Sequence, residues 1–166
     1  MEESRDARVP QQRGTDSERP PEAVFAIVGD IKGHAELSGS SEVKSLRQVG
    51  DGPVGRGTKF EADEEIRVMG RTTKMTAASE VVEYDPPTVV SWTSMPSVPP
   101  KPRRIQWWFR LAPDGEGTRV VHECEVDFGP VANVLAKGPY ALIRGSAVKQ
   151  GMKRTLENLR SKVAGS

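Results

Sequence analysis

RIQWWFRLAPDGEGTRVVHECEVDF, residues 104–128, places two alternating segments around one turn. Read with a period of two, Ile105, Trp107, Phe109 and Leu111 share one face, while Gln106, Trp108 and Arg110 share the other. After PDGEG, Val120, His122, Cys124, Val126 and Phe128 alternate with Val121, Glu123, Glu125 and Asp127. The spacing predicts a hairpin with one wet face and one buried face. His122 and Cys124 are the polar members of the buried side, lining either a core or a cavity.

Upstream, EVKSLRQVG, GTKFEADEEIRVM, RTTKMTAASEVVEY and TVVSWTSM read as further strands, giving six in succession with the hairpin. Their connectors carry turn chemistry: DGPVGRG at 51–57, Gly70, DPP at 85–87 and the proline-rich PSVPPKP at 96–102. Consecutive strands joined this way form an antiparallel meander. In 71–84, Met75, Ala77 and Val81 compete with Ala78, Val82 and Tyr84 for the inner face, so a bulge is expected there.

The two ends differ in kind. Residues 1–16 are polar, with few large apolar groups, and are expected to be mostly disordered ahead of a single domain over 17–164. PPEAVFAIV predicts a short helix over 21–29, with Asp30 as N-cap of a second, IKGHAEL. At the carboxyl end Val148, Met152, Thr155, Leu156, Leu159 and Val163 recur every three or four residues, opposite Lys149, Lys153, Arg154, Glu157, Arg160 and Lys162. A long amphipathic helix follows. Gly145 and Gly151 lie within it at a cost of about 1 kcal/mol each, so their small volume is expected to serve packing.

Composition sets the class. Lys and Arg total 24 against 23 Asp and Glu, a balance that argues against a nucleic-acid partner. One cysteine excludes an intramolecular disulfide, no apolar run is long enough to span a bilayer, and the amino end lacks a signal-peptide pattern. The expectation is a soluble cytoplasmic protein without membrane insertion, metal or cofactor; two inward residues, His122 and Cys124, do not complete a zinc site.

Short helix pair, curved antiparallel sheet and long final helix, in that order, resemble the START/Bet v 1-like (SRPBCC) superfamily, in particular its polyketide cyclase/dehydrase and lipid-transport branch. The segments PPEAVFAIVGDIKGHAEL, GPVGRGTKF, EVVEYDPPTVVSW and FRLAPDGEGTRV carry the resemblance, which spans roughly 17–164. It implies an α+β helix-grip fold, with a strongly bent sheet of about seven strands around the final helix, two short helices after strand one, and an apolar cavity between sheet and helix. Strand one should precede PPEAVF, where QQRGTDSER is polar; it is expected to be a frayed edge or displaced.

The same resemblance implies a hydrophobic polyketide-like or lipid-like ligand, with cyclisation or dehydration assisted by an acid/base group in a dry cavity. Aligned on DIKGHAELSGSSE, the pocket aromatic of the aromatase/cyclases falls on His34 and their tyrosine on Ser41, so neither identity is kept. Their arginine has counterparts only in Arg67 and Arg71, which flank Gly70, and parity sets Arg67 towards solvent. The candidate catalytic residues are His122, His34 and Glu64. His122 faces inward and is suited to hydrogen-bond a ligand carbonyl or hydroxyl, or to pair with another side chain. His34 is a proton shuttle at the cavity mouth or a helix-end histidine bonded to a carbonyl. Glu64 shares parity with Phe60, Ala62 and Ile66, as a buried base of raised pKa or through an error of register.

Trp92, Trp107, Phe109 and Phe128, with Met69, Met75, Met95 and Met152, form either a deformable pocket wall or plain core. The candidate ligand-binding set is Trp92, Trp107, Phe109, Val120, His122, Cys124, Phe128, Phe60, Met152 and Gly151, with Cys124 read as a core thiol. Trp108 points outward, capping an open sheet face or touching a partner, unless parity reverses in its strand. Lys101, Arg103 and Arg104 suit an anionic ligand or an acyl carrier protein at the cavity rim, and a stiff solvated connector is the plainer reading. The superfamily also includes sequestering proteins for antibiotic self-resistance of the enediyne type, the alternative function; a co-chaperone or regulatory module is the second alternative.

Overall fold

The computed structural model describes residues 9–68, 70–97, 102–140 and 144–165; Met69, Lys101 and residues 1–8 lie outside them. Seven strands form one antiparallel sheet in the order β1-β7-β6-β5-β4-β3-β2. They are β1 (Val9–Ser17), β2 (Val43–Val49), β3 (Lys59–Val68), β4 (Arg71–Asp85), β5 (Val89–Pro96), β6 (Arg104–Asp114) and β7 (Gly117–Asp127). Helix α1 (Pro21–Val28), a single 3₁₀ turn (Ile31–Gly33) and α2 (His34–Leu37) follow β1; α3 (Pro130–Tyr140) and α4 (Ser146–Ala164) follow β7. This is the helix-grip arrangement. No helix among the described residues is long and apolar enough to cross a membrane.

In β6 and β7 the period-two reading locates the inner face. Val90, Phe109, Leu111, Val120, Cys124 and Val126 are buried, and Trp107, half-buried, stands in line with Phe109. The register of β4 against β5 shifts between Val81 and Glu83, which resolves the competition in β4: Val81 is inward before the bulge and Tyr84 packs on the core after it. Gly70 and Gly115, at φ 79 and φ 60, occupy the left-handed conformation that their tight hairpin turns require.

Residues 9–16, expected to be disordered, are instead strand β1, which pairs residue for residue with β7 from Val9↔Val126 to Ser17↔Thr118. The backbone ladder to β7 orders it, and Arg13, Gly14 and Asp16 remain exposed. The ordered fold therefore starts well before residue 17. An unexpected helix, α3, joins β7 to α4, with Val131 75% and Leu135 73% exposed. Gly145, read as helix interior, stands at the N-cap of α4.

Helix α4 buries Gly151, Met152, Thr155, Leu156, Leu159 and Val163, the predicted stripe. Its backbone comes closest to β1, α1 and α2. The segment after α2 is stapled to it: the amide of Gly39 donates to Thr155 Oγ1 at 2.8 Å, and Asn158 Nδ2 donates to the Leu37 carbonyl at 3.2 Å. Gly151 faces Ser40, but a methyl group there would meet it no closer than 3.4 Å, an ordinary contact, so packing does not require the small residue expected at this position. A methyl group on Gly39 would overlap the amide of Thr155, the carbonyl of Gly151 and Cβ of Arg154, atoms of a helix that cannot yield individually. Gly39→Ala is expected to cost about 3 kcal/mol, the upper part of the overpacking range. Urea unfolding measures it, and a loss under about 0.5 kcal/mol, the size of an ordinary surface change, would contradict this packing.

Candidate functional site

Three neighbouring strands build an aromatic wall on the concave face. Trp92 of β5 stands opposite Trp107 of β6, and Phe109 of β6 stands opposite His122 of β7. The imidazole of His122 stacks on Phe109 with centroids 4.2 Å apart and planes 12° apart, and it lies 5.6 Å from Trp107 and 6.5 Å from Trp92 in near-parallel orientation. His34 reaches the same group from α2, edge-on to Trp92 at 4.9 Å and to Phe109 at 5.9 Å. The two histidines thus form one cluster with Trp92, Trp107 and Phe109.

The hydrogen bonds fix both tautomers. His122 Nδ1 lies 3.0 Å from the Trp108 carbonyl, and His34 Nε2 lies 2.7 Å from the Val28 carbonyl. Since a carbonyl oxygen only accepts, those nitrogens carry the protons, leaving His122 Nε2 and His34 Nδ1 as lone-pair acceptors. His34 is therefore the helix-end histidine bonded to a carbonyl. Burial holds each imidazole well below its ordinary range, at about 4, against the opposing pull of its carbonyl bond. At neutral pH both are uncharged. With its proton on Nδ1, His122 offers Nε2 as an acceptor.

Glu64 is half-buried, in step along β3 with the buried Phe60 and Ala62 and apart from this cluster. Burial pushes its carboxyl up to about 6, the Glu42 charge adds to the rise, and Arg144 opposes it. Arg144 grips Glu42 through both guanidinium nitrogens, at 2.7 and 2.8 Å, bridging the segment before β2 to the start of α4. Sequence reasoning missed this pair, whose members are 102 positions apart. One signal was present: a cation just ahead of a helix opposes the macrodipole, so Arg144 needed a carboxylate. Arg144→Gln is expected to raise the Glu64 pKa above about 6, measured by carboxyl-carbon NMR titration; an unchanged or lower value would show that Arg144 does not act on Glu64.

The remaining candidates divide by depth. Phe60 and Val120, 1% and 0% exposed, are enclosed with Val24, Phe25 and Leu159 in a cluster under α1. Cys124 packs with Val126 and Met152 in a second cluster, to which Ile105, Trp107, Phe128 and Val148 add partial cover. Burial pushes its thiol pKa up, which removes a nucleophilic thiolate. Gly151 faces Ser40. Ser41, Arg67 and Arg71 are exposed. Trp108 does point outward: its indole donates to Glu83 at 2.8 Å and lies under the Arg110 guanidinium. No group of three His, Cys, Asp or Glu side chains that could hold a metal occurs among the described residues.

The family model described as polyketide cyclase/dehydrase and lipid transport matches residues 11–164. Among solved structures, a conserved protein from Geobacillus kaustophilus superposes with a TM-score of 0.70 at 19% identity, covering 95% of this chain and 96% of that one. A major latex-like protein from Panax ginseng gives 0.68 at 9% identity, over 94% and 97%. An aromatase/cyclase from Streptomyces gives 0.60 at 13% identity, over 94% and 96%. At these identities the likeness is one of fold. No match was found among the curated proteins.

Proposed function

The chain belongs to the polyketide cyclase/dehydrase and lipid transport family of the START/Bet v 1-like superfamily, and from that premise we propose that it binds a hydrophobic, polyketide-like or lipid-like small molecule between the concave sheet face and α4. One observation carries the reading. Trp92 and Trp107 face inward yet remain only half-buried, one packed on each of two separate apolar clusters. Large aromatic surfaces that the chain's own core leaves partly uncovered suit an apolar guest.

Binding is favoured over catalysis by the state of the polar groups. Imidazoles with pKa values of about 4 are weak bases at neutral pH, and a protonated, buried thiol is inert. Sequestration, including the self-resistance role, needs no more than this wall. A specific observation supports a second reading: Glu64, at about 6, is poised for proton transfer, as cyclisation or dehydration of a poly-β-ketone would require.

The test is a thermal-shift titration with palmitate and with an anthraquinone, read in parallel by tryptophan fluorescence. A saturable rise in Tm with either is expected, since a ligand held only by the folded state stabilises it. Failure of both probes in both readouts would sink the binding reading. Incubation with a linear poly-β-ketone then separates the roles: altered cyclisation lost in Glu64→Gln supports the enzyme, and stabilisation without turnover supports the binder.

A further inference from the structure

We infer that the cleft between β1 and α4 binds a phosphate monoester group, held by the guanidinium groups of Arg13 and Arg160 and the ammonium group of Lys153. The cleft has a volume of about 180 Å³, and these three cations line it together with Leu156 and Glu157. None of the aromatic-wall residues lines it, so the inference goes beyond the binding reading above. Arg13 belongs to the edge strand and stands opposite the inward His122, which sets it on the helix side of the sheet. Lys153, Glu157 and Arg160 follow one another at helical spacing and share one face of α4. The fold thus joins cations from opposite ends of the chain.

Gathering like charges in a cleft costs free energy unless an anion compensates. Elsewhere the fold sets arginines against carboxylates: Arg104 on Glu125, Arg110 on Glu123, Arg119 on Asp16 and Asp114, and Arg144 on Glu42. The guanidinium groups of Arg13 and Arg160 have no such partner among the described residues. Glu157, the one carboxylate in the lining, is turned to Lys153 at 3.8 Å. Three positive charges against one negative leave two, which a phosphate monoester close to its dianionic state at neutral pH matches. Two planar guanidinium forks also suit its three terminal oxygens, whereas a carboxylate brings two oxygens and one charge. Leu156, 4% exposed, gives the cleft an apolar side that strengthens the attraction.

The experiment titrates the full chain with glycerol 3-phosphate, dodecyl phosphate and acetate at physiological ionic strength, followed by nitrogen-15 NMR of the Gly14 and Leu156 amides and the arginine Nε groups. Saturable shifts are expected with the phosphates, and binding of acetate about tenfold weaker or less. Arg13→Gln and Arg160→Gln, both at exposed positions, should each weaken glycerol 3-phosphate about tenfold, the value of one charge-assisted hydrogen bond. Arg154→Gln removes the same charge from an exposed position of α4 that does not line the cleft, and should change binding by less than about twofold. Glu157→Gln should tighten it. Tighter binding of dodecyl phosphate than of glycerol 3-phosphate supports a phosphate carried on an apolar tail, and equal binding supports a free one. No saturable shift with either phosphate, acetate binding as tightly as phosphate, or an equal loss in Arg154→Gln overturns the site. Palmitate and the anthraquinone test the aromatic wall separately, so either conclusion can fail while the other stands.

Discussion

Phe109→Ala is expected to lower the free energy of unfolding by about 3–5 kcal/mol, the range for deleting a buried aromatic side chain. Phe109 is 1% exposed and pairs with Val90 on one side and His122 on the other. Its ring is also the common neighbour of His34, Trp92 and His122, so truncation leaves a void at the centre of the wall. Urea unfolding followed by circular dichroism measures the loss. Phe109→Leu, which refills much of the volume, should cost less than half as much; equal losses would mean that the flat ring, not the filled space, supports the neighbours. A cost below about 1 kcal/mol for the alanine variant would show a loose wall.

Acid is expected to have the second large effect, acting through the two histidines. In the unfolded chain each titrates near 6.5, and in the folded protein near 4. Between those values the unfolded state holds more protons, so stability rises with pH across the window and is lost as pH falls from 6.5 towards 4. The size is on the order of 3 kcal/mol per histidine once pH is below both values. Glu64 works the other way: its folded value of about 6 exceeds the ordinary 4.5, so acidification through that interval favours the folded state and offsets part of the loss. Unfolding free energies at pH 7, 6, 5 and 4 give the net slope. His122→Phe should make that slope shallower, and a profile identical to wild type would refute the neutral buried imidazole.

How far each element is legible in the sequence depends on what holds it in place. The alternation in 104–128 exposes the inner face because β7 and the Phe109–Leu111 end of β6 are packed on one side and more open on the other, and the stripe of α4 is legible for the same reason. Strand β1 escaped because its pairing with β7 is made by backbone groups, which side-chain periodicity does not encode. Helix α3 escaped for a related cause: Val131 and Leu135 carry the four-residue spacing of a buried stripe but face outward. At the site, parity placed His122 and Trp107 inward. It could not show which nitrogen of His122 is committed to a carbonyl of the neighbouring strand. Nor could it show that Arg144 turns to Glu42, since both facts depend on contacts between distant segments.

The pairing of the first strand with the last sets an order of events for a chain leaving the ribosome. Strands β2 to β7 join through successive hairpins, each closing a short loop, and can assemble as they emerge. β1 emerges before all of them, yet its ladder ends where Thr118 reaches back to Arg19, 99 positions earlier. It must wait, unpaired, through most of synthesis. Over that interval β1 itself, and the last strand completed in the growing meander, present open rows of amides and carbonyls to any other extended chain nearby. The amino-terminal strand is thus the molecule's seal against its own neighbours on the polysome, and its late docking is the step at which nascent copies are most open to cross-pairing.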